Sequence, residues 1–408
     1  MFGVWALSIW VSLTLISFAL QIPPSEELSV DDNKGFAQEL DRVRDLLGSA
    51  NDKGSVQFQI ARTYAAGGQY RDAMEWLQKV VHSNLGFDPA RDKLFTNLHN
   101  AKEFQSLVEQ ARIQTAPVSN SHLLAVLPES DLFPENIAYD FDTKTFFLGS
   151  TFKNEIIRCK QQGACNVFVA PHREGLGTVL GLKIDQRSRT LWTTSNKETG
   201  ASLRQYSLTS GQLRGSYPLS GGHLFNDLVV SSTGEVFVTD ARARSVYRLS
   251  NGKGRLEPLA PSHVFTAANG IALSPDERTL FVSSFGDGIT AIDLASQSTR
   301  PVPHPPDVCL GYIDGLYGIK GSLVAIQNGP MVPRIVRFVL SSDSSRITDM
   351  KVLERRNPLF DGITTGVLVG DQLYYVPNNQ LDKVVSGKIA AGVTLDPLRI
   401  LTMDVGIQ

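Results

Sequence analysis

Basic residues form no cluster in these 408 residues, and 39 Lys and Arg against 41 Asp and Glu leave a net charge of -2. The aromatic residues do not interleave with basic ones either. Together these absences exclude the basic face that nucleic-acid binding requires. Cysteine is scarce, three in all, and no CxxC pair or Cys/His zinc spacing occurs. Cys159 and Cys165 flank a short polar stretch that reads as a hairpin loop. In an exported protein they have two alternatives, a local disulfide or two free thiols, and Cys309 is left over. Charge is absent from Phe2 to Ile22, where Trp5, Ile9, Trp10, Leu13 and Phe18 make the chain strongly apolar. Residues 1–22 read as a signal peptide, although a basic leading region is lacking, or as a membrane anchor. Either way the remainder is expected to be exported, periplasmic or extracellular, with a membrane involved only if this segment stays attached.

What the chain does contain divides into two parts. Residues 23–34 are polar and acidic, a linker. Residues 35–113 form a small α-helical segment: Phe36, Leu40, Val43, Leu46 and Leu47 recur at three- and four-residue steps, the stripe of an amphipathic helix. Ala61, Tyr64, Gly68, Tyr70, Ala73 and Trp76 follow in an order that resembles a tetratricopeptide helical hairpin. Asp88-Pro89 is expected to open another helix pair through about Arg112. A single such repeat points to a helical cap on the main domain, with a docking module for a protein partner as the alternative. Residues 114–120 read as a second linker.

Residues 121–408 carry six repeats. Their first strands align on Ile137, Leu182, Leu228, Ile271, Leu316 and Val367, at spacings of 45, 46, 43, 45 and 51 residues. Second strands are equally regular, as in Thr145-Phe146-Phe147-Leu148 and Thr279-Leu280-Phe281-Val282. In the fourth repeat, Pro275-Asp276-Glu277-Arg278 supplies the turn between two such strands. A period in the mid-forties with several short strands per unit predicts a mainly β fold, a six-bladed β-propeller with four-stranded blades. The strand-like stretch from His122 to Leu127 is expected to close the ring against the last blade.

The innermost strands of a propeller line its central channel. Two residues before each anchor stand Glu135, Leu180, Asn226, Asn269, Asp314 and Thr365. Two carboxylates and two carboxamides in one register supply hard oxygen donors and a charge of -2, matched to a divalent cation. Ca2+ is the first expectation, with Mg2+, Mn2+ or Zn2+ as alternatives. Taken singly, Asn269-Gly270 and Asp314-Gly315 are ordinary turn dipeptides; the shared register is what makes a site of them.

Phe133-Pro134-Glu135, Phe225-Asn226-Asp227, the run from Asn269 to Asp276, and Asp314-Gly315-Leu316 resemble the four motifs of the gluconolactonase/regucalcin (senescence marker protein) family. Paraoxonases and diisopropyl-fluorophosphatase are more distant relatives of that family. The resemblance covers residues 121–408 and does not account for the helices. It implies a six-bladed propeller that hydrolyses lactones or related esters, in which Glu135, Asn226, Asn269 and Asp314 hold the catalytic cation. Asp314 matches the family's proton-transfer residue. Where sugar-lactone hydrolases often place an Arg this chain has Leu224, next to His223, so a more apolar lactone or ester is expected. A cation weakens Asp314 as a base, so other proton acceptors are sought on the same face. His172, His223, His263 and His304 fall in inter-blade loops there; His223 is the best placed, and Asp227 and Asp361 are further candidates. The alternative function is a non-catalytic propeller with a structural ion that binds a protein or carbohydrate partner.

Overall fold

A computed structural model describes residues 33–261, 264–385 and 387–406. The apolar leader and His263 lie outside the described residues. No helix among the described residues is long and apolar enough to cross a membrane.

Six four-stranded antiparallel sheets follow the helices. Blades 1 to 5 comprise residues 134–169, 182–220, 225–258, 268–301 and 313–355. Blade 6 comprises residues 366–404, with His122–Leu127 added as its outermost strand against Leu398–Asp404. The N-terminal strand therefore closes the ring by covering the last blade's edge. The first strand of each blade is innermost, and these strands pack side by side around the axis.

The local sequence explains the blades. Each first hairpin turn ends on a left-handed residue: Lys144, Arg189, Gly234, Glu277, Gly321 and Gly370 all have φ between 50° and 86°. In the fourth, Ser274 Oγ donates to Asp276 Oδ1 at 2.6 Å and accepts from Thr279 N at 3.0 Å, so the polar residues of the turn hold its shape. The β-branched and aromatic residues of the flanking strands then alternate between neighbouring seams. Phe281 and Ala272 of blade 4 pack on Leu316, Leu323 and Val336 of blade 5. Equivalent apolar seams join every other pair of adjacent blades. Cys159 and Cys165 are joined by a disulfide across a hairpin of blade 1, and Cys309 is a buried free thiol.

The helical segment consists of α1 (Asn33–Ser49), α2 (Lys53–Ala66), α3 (Tyr70–His82) and α4 (Lys102–Gln114). The expected helix pair after Asp88 is instead two 3-10 turns, Pro89–Arg91 and Lys93–Leu98, followed by α4 alone. Asp88 caps the first turn and Asp92 the second, so the chain restarts twice before a full α-turn accumulates. The segment is fastened to blade 5. Phe58 stacks on Phe87 at 4.5 Å between ring centroids, and Phe87 meets Tyr312 edge-on at 5.9 Å. Asp52 caps α2 through Ser55 N and accepts from the backbone N–H groups of Leu310 and Gly311. With Cys309 and Met331 the helices share one continuous core.

Candidate functional site

The innermost strands of blades 1, 3, 4 and 5 are each interrupted by a register shift: between Pro134 and Ile137, Phe225 and Leu228, Ala268 and Ile271, and Ile313 and Gly315. Glu135, Asn226, Asn269 and Asp314 sit inside these four bulges. A bulge takes a residue out of the ladder and re-aims its side chain. Here all four side chains line one cavity of about 750 Å3. The other two positions of the register behave differently. Leu180 precedes a regular strand and adds an apolar contact with Leu224 and Ala241. Thr365 donates its hydroxyl to the Glu135 carbonyl at 2.6 Å.

A bulge frees backbone groups that must be satisfied elsewhere, and polar residues buried in neighbouring strands do this. Asn196 exchanges hydrogen bonds with Phe225, its Oδ1 accepting at 2.8 Å and its Nδ2 donating at 2.9 Å. Thr239 Oγ1 donates to the Asn269 carbonyl at 2.7 Å. Ser283 Oγ donates to the Ile313 carbonyl at 3.0 Å. Blades 2, 3 and 4 thereby each hold the bulge of the next blade. These residues were legible only as polar breaks in apolar strands, as in Val238-Thr239-Asp240.

The ring gathers buried carboxyl groups whose proton affinity is raised. Burial pushes the Glu135 carboxyl up to about 8; the nearby Asp314 carboxylate adds to this, and a Thr364 hydrogen bond opposes it. Asp314 is pushed up to about 6, chiefly by burial. Hydrogen bonds from Asn328 and Asn269 hold it down, and Asp227 raises it further. Asn328 Nδ2 donates to Asp314 Oδ2 at 2.6 Å. Asn269 faces Asp314 through its amide nitrogen, and its buried Oδ1 has no hydrogen-bond partner. Two like charges pressed together beside an orphaned buried oxygen fit a divalent cation, which would relieve the repulsion and satisfy the lone pair. Among the described residues neither His nor Cys lines the cavity, and the donor set they offer is hard oxygen. Among the described residues, the one close grouping of three His, Cys, Asp or Glu is Glu129 with Cys159 and Cys165. Those sulfurs are spent on the disulfide.

The proposed bases fall in different places. His223 is not among the cavity-lining residues, although Leu224 beside it is. Its Nδ1 is hydrogen-bonded to the buried Asp240 carboxylate at 2.6 Å, and its ring packs against Phe225 and Tyr247. Asp361 lines the cavity and is paired with Lys383 at 2.6 Å. Asp227 is fully buried beside Lys183 at 3.6 Å and does not line the cavity. His172 is exposed at the start of a short turn. His304 has both ring nitrogens on backbone carbonyls, Pro305 at 2.9 Å and Asn51 at 3.0 Å; it joins the helices to the propeller instead of facing the cavity.

Sequence reasoning missed Asn328, which lies outside the aligned register, and Asn379, which follows the second strand of blade 6. It also missed Arg91 and Arg356, which reach the cavity from the helical segment and a blade 5 loop. No sequence spacing announces these, because tertiary packing alone brings them to the ring.

No family model and no curated protein matches the sequence. Among solved structures the chain is similar to a gluconolactonase from Xanthomonas campestris, with 16% identity over 72% of this chain and 92% of that one and a TM-score of 0.48. It is similar to a luciferin-regenerating enzyme, with 16% identity over 71% of this chain and 95% of that one and a TM-score of 0.48. A PQQ-bound aldose sugar dehydrogenase from Streptomyces coelicolor shows 15% identity over 70% of this chain and all of that one, at the same TM-score. Proteins of different activity thus stand at the same distance, so these likenesses do not select an activity. On its own architecture the chain is a six-bladed β-propeller preceded by helices, with four bulged oxygen donors gathered in one cavity.

Proposed function

We propose that this chain is a divalent-cation-dependent hydrolase of lactones or related carboxylic esters. The observation that carries the reading is the ring itself: two carboxylates with raised proton affinity and a buried carboxamide oxygen without a donor, converging in one cavity. Glu135, Asn226, Asn269 and Asp314 would hold the cation, Ca2+ first by the hardness of the donors. A bound cation would polarise the ester carbonyl and acidify water. Asn328, by donating to Oδ2 of Asp314, fixes the orientation of that carboxylate. Asp314 is the first candidate to take the proton of the attacking water, and the charge of a cation beside it works against that role. His223 is the second: its Nδ1 is committed to Asp240, among the described residues its Nε2 makes no hydrogen bond, and from behind Leu224 it would have to act on the cavity through a water. Leu180, Leu224 and Ala241 form an apolar wall beside the ring, which suits an apolar substrate better than a polyhydroxylated one.

A cavity of about 750 Å3 is the size of a small-molecule site, and this favours the enzyme over a propeller that binds a partner on an open face. The test is proton release from a panel of lactones and aryl esters, measured before chelation, after chelation and after Ca2+ is returned. Activity that vanishes and returns supports the hydrolase. A flat trace with the cation bound would replace it with the binding propeller. Asp314→Ala should lose both the cation and turnover, whereas His223→Ala should lose turnover alone.

A further inference from the structure

The cavity is not built by the propeller alone. Residues 86–91, which follow α3 and include the first 3-10 turn, are strapped across its border. Phe87 bridges Met331, and the Val332 N–H donates to the Gly86 carbonyl at 3.0 Å. Gly86 has φ +96°, and a Cβ there would lie 2.5 Å from Arg334 Nη1, so only glycine lets the strap come this close. Asp88 then works in two directions. Its Oδ1 accepts from Ala90 N at 3.1 Å and caps the turn Pro89–Arg91, while its Oδ2 accepts from Arg356 Nη2 at 2.9 Å. Arg356 also donates to the Thr115 carbonyl at 2.9 Å.

This arrangement places Arg91, a solvent-exposed residue, on the rim of the cavity with its guanidinium bound to no other side chain among the described residues. Among the described residues Arg91 makes no side-chain hydrogen bond or ion pair; Asp88, its nearest counter-charge, is committed to Ala90 and Arg356. Leu180, Leu224, Phe285, Val332 and Phe360 supply apolar wall to the same cavity. The cavity therefore combines an acidic ring suited to a cation, apolar sides, and a free guanidinium carried in by the helices.

We infer that Arg91, positioned by Asp88 and Arg356, is an anion subsite, so that the ligand is an amphipathic ester or lactone with a terminal anionic group: its carbonyl at the ring, its apolar body on the walls, its anion on Arg91. This rests on the proposed hydrolase only for the carbonyl end. A planar guanidinium suits carboxylate, sulfonate and phosphate alike. The role also explains why a helical segment is kept against this face of the propeller: it completes the recognition surface.

The experiment has a binding arm and a turnover arm, both on the full chain. Binding of octanesulfonate and of octanol is measured by calorimetry for the wild type, R91A, R91E and R91K. Sulfonate is a poor calcium ligand, so it reports on the guanidinium. Octanesulfonate should bind the wild type about tenfold more tightly than R91A, the scale of one charge-assisted contact; R91E should not bind it, R91K should retain most of the affinity, and octanol should not distinguish them. Equal sulfonate affinity in wild type and R91A, or none in the wild type, overturns the subsite. In the turnover arm, mono-para-nitrophenyl adipate is compared with para-nitrophenyl hexanoate: R91A should raise KM for the anionic ester far more than for the neutral one, with the loss falling on KM and not on kcat. If neither ester is cleaved while sulfonate binding still depends on Arg91, the hydrolase reading falls and the subsite stands. If both are cleaved and R91A is indifferent, the subsite falls and the hydrolase stands.

Discussion

Replacing Glu135 with Gln should flatten the pH dependence of stability in the cation-free protein. The wild-type Glu135 carboxyl moves from an ordinary 4.5 to about 8 on folding because it is buried near Asp314. A carboxyl whose folded-state value lies above its unfolded one adds stability below about pH 4.5, and that stability is lost as the pH climbs toward 8. Taken whole, the span corresponds to about 5 kcal/mol. Asp314 shares the cost and Glu135 keeps some contact with solvent, which screens it, so about 2–3 kcal/mol is expected. The assay is urea denaturation of chelated protein at pH 5 and pH 8.5, for wild type and E135Q side by side. Groups away from the ring act alike in both proteins, so the difference between their pH profiles reports the coupled Glu135–Asp314 pair. Wild type should lose stability over this window and E135Q should lose less. Adding Ca2+ at about a hundredfold over its Kd should return roughly 2.7 kcal/mol to the wild type at pH 8.5 and much less to E135Q. Parallel pH profiles in the two proteins, or equal calcium stabilisation, would refute the reasoning that these carboxylates form a strained pair awaiting a cation.

Three further substitutions probe the frame that holds the site. Asp52→Ala removes the α2 cap and leaves the buried N–H groups of Leu310 and Gly311 without an acceptor, for a loss of about 3–5 kcal/mol; proteolysis between helices and propeller should accelerate, and unchanged resistance would count against a fixed junction. Cys159→Ser opens a short cross-linked loop and should cost about 2 kcal/mol in urea denaturation. Lys144→Gly should raise stability by about 0.5–1 kcal/mol, because Lys144 holds φ 50° with an exposed side chain; a destabilised variant would mean that the side chain contributes a contact.

The architecture was legible because its signal is repeated six times. One strand beginning at Ile271 is ambiguous, whereas six at spacings in the mid-forties are not. The ring was legible for the same reason, since Glu135, Asn226, Asn269 and Asp314 share a register. That they share a bulge was not, because a bulge is a pairing irregularity and pairing partners are distant in sequence. The helical segment misled at residues 89–101: Leu94, Phe95 and Leu98 have helical spacing, yet two successive Asp caps break the chain into 3-10 turns. His304 was placed by loop position alone, and loop position does not reveal that both ring nitrogens are taken by carbonyls. Arg91 had no local signature at all.

The bulges also explain how the ring can be so costly in charge without unravelling the blades. A residue outside the ladder makes no cross-strand pair, so its identity is not set by sheet packing. Stability resides in the seams, where Phe281, Leu316 and Leu323 and their counterparts are buried between blades. The hydroxyls of Thr239, Ser283 and Thr365 and the amide of Asn196 tie each bulge to the neighbouring blade, so the seams hold the donors in place without using their side chains. The ring is lopsided for the same reason. Blades 2 and 6 lack a bulge at this position, and Leu180, on the blade between those of Glu135 and Asn226, meets Leu224 and Ala241 there, so an apolar patch interrupts the row of donors. An ester reaching a cation held by those donors would find its apolar part against Leu180 and Leu224, with the strap carrying Arg91 bordering the same space.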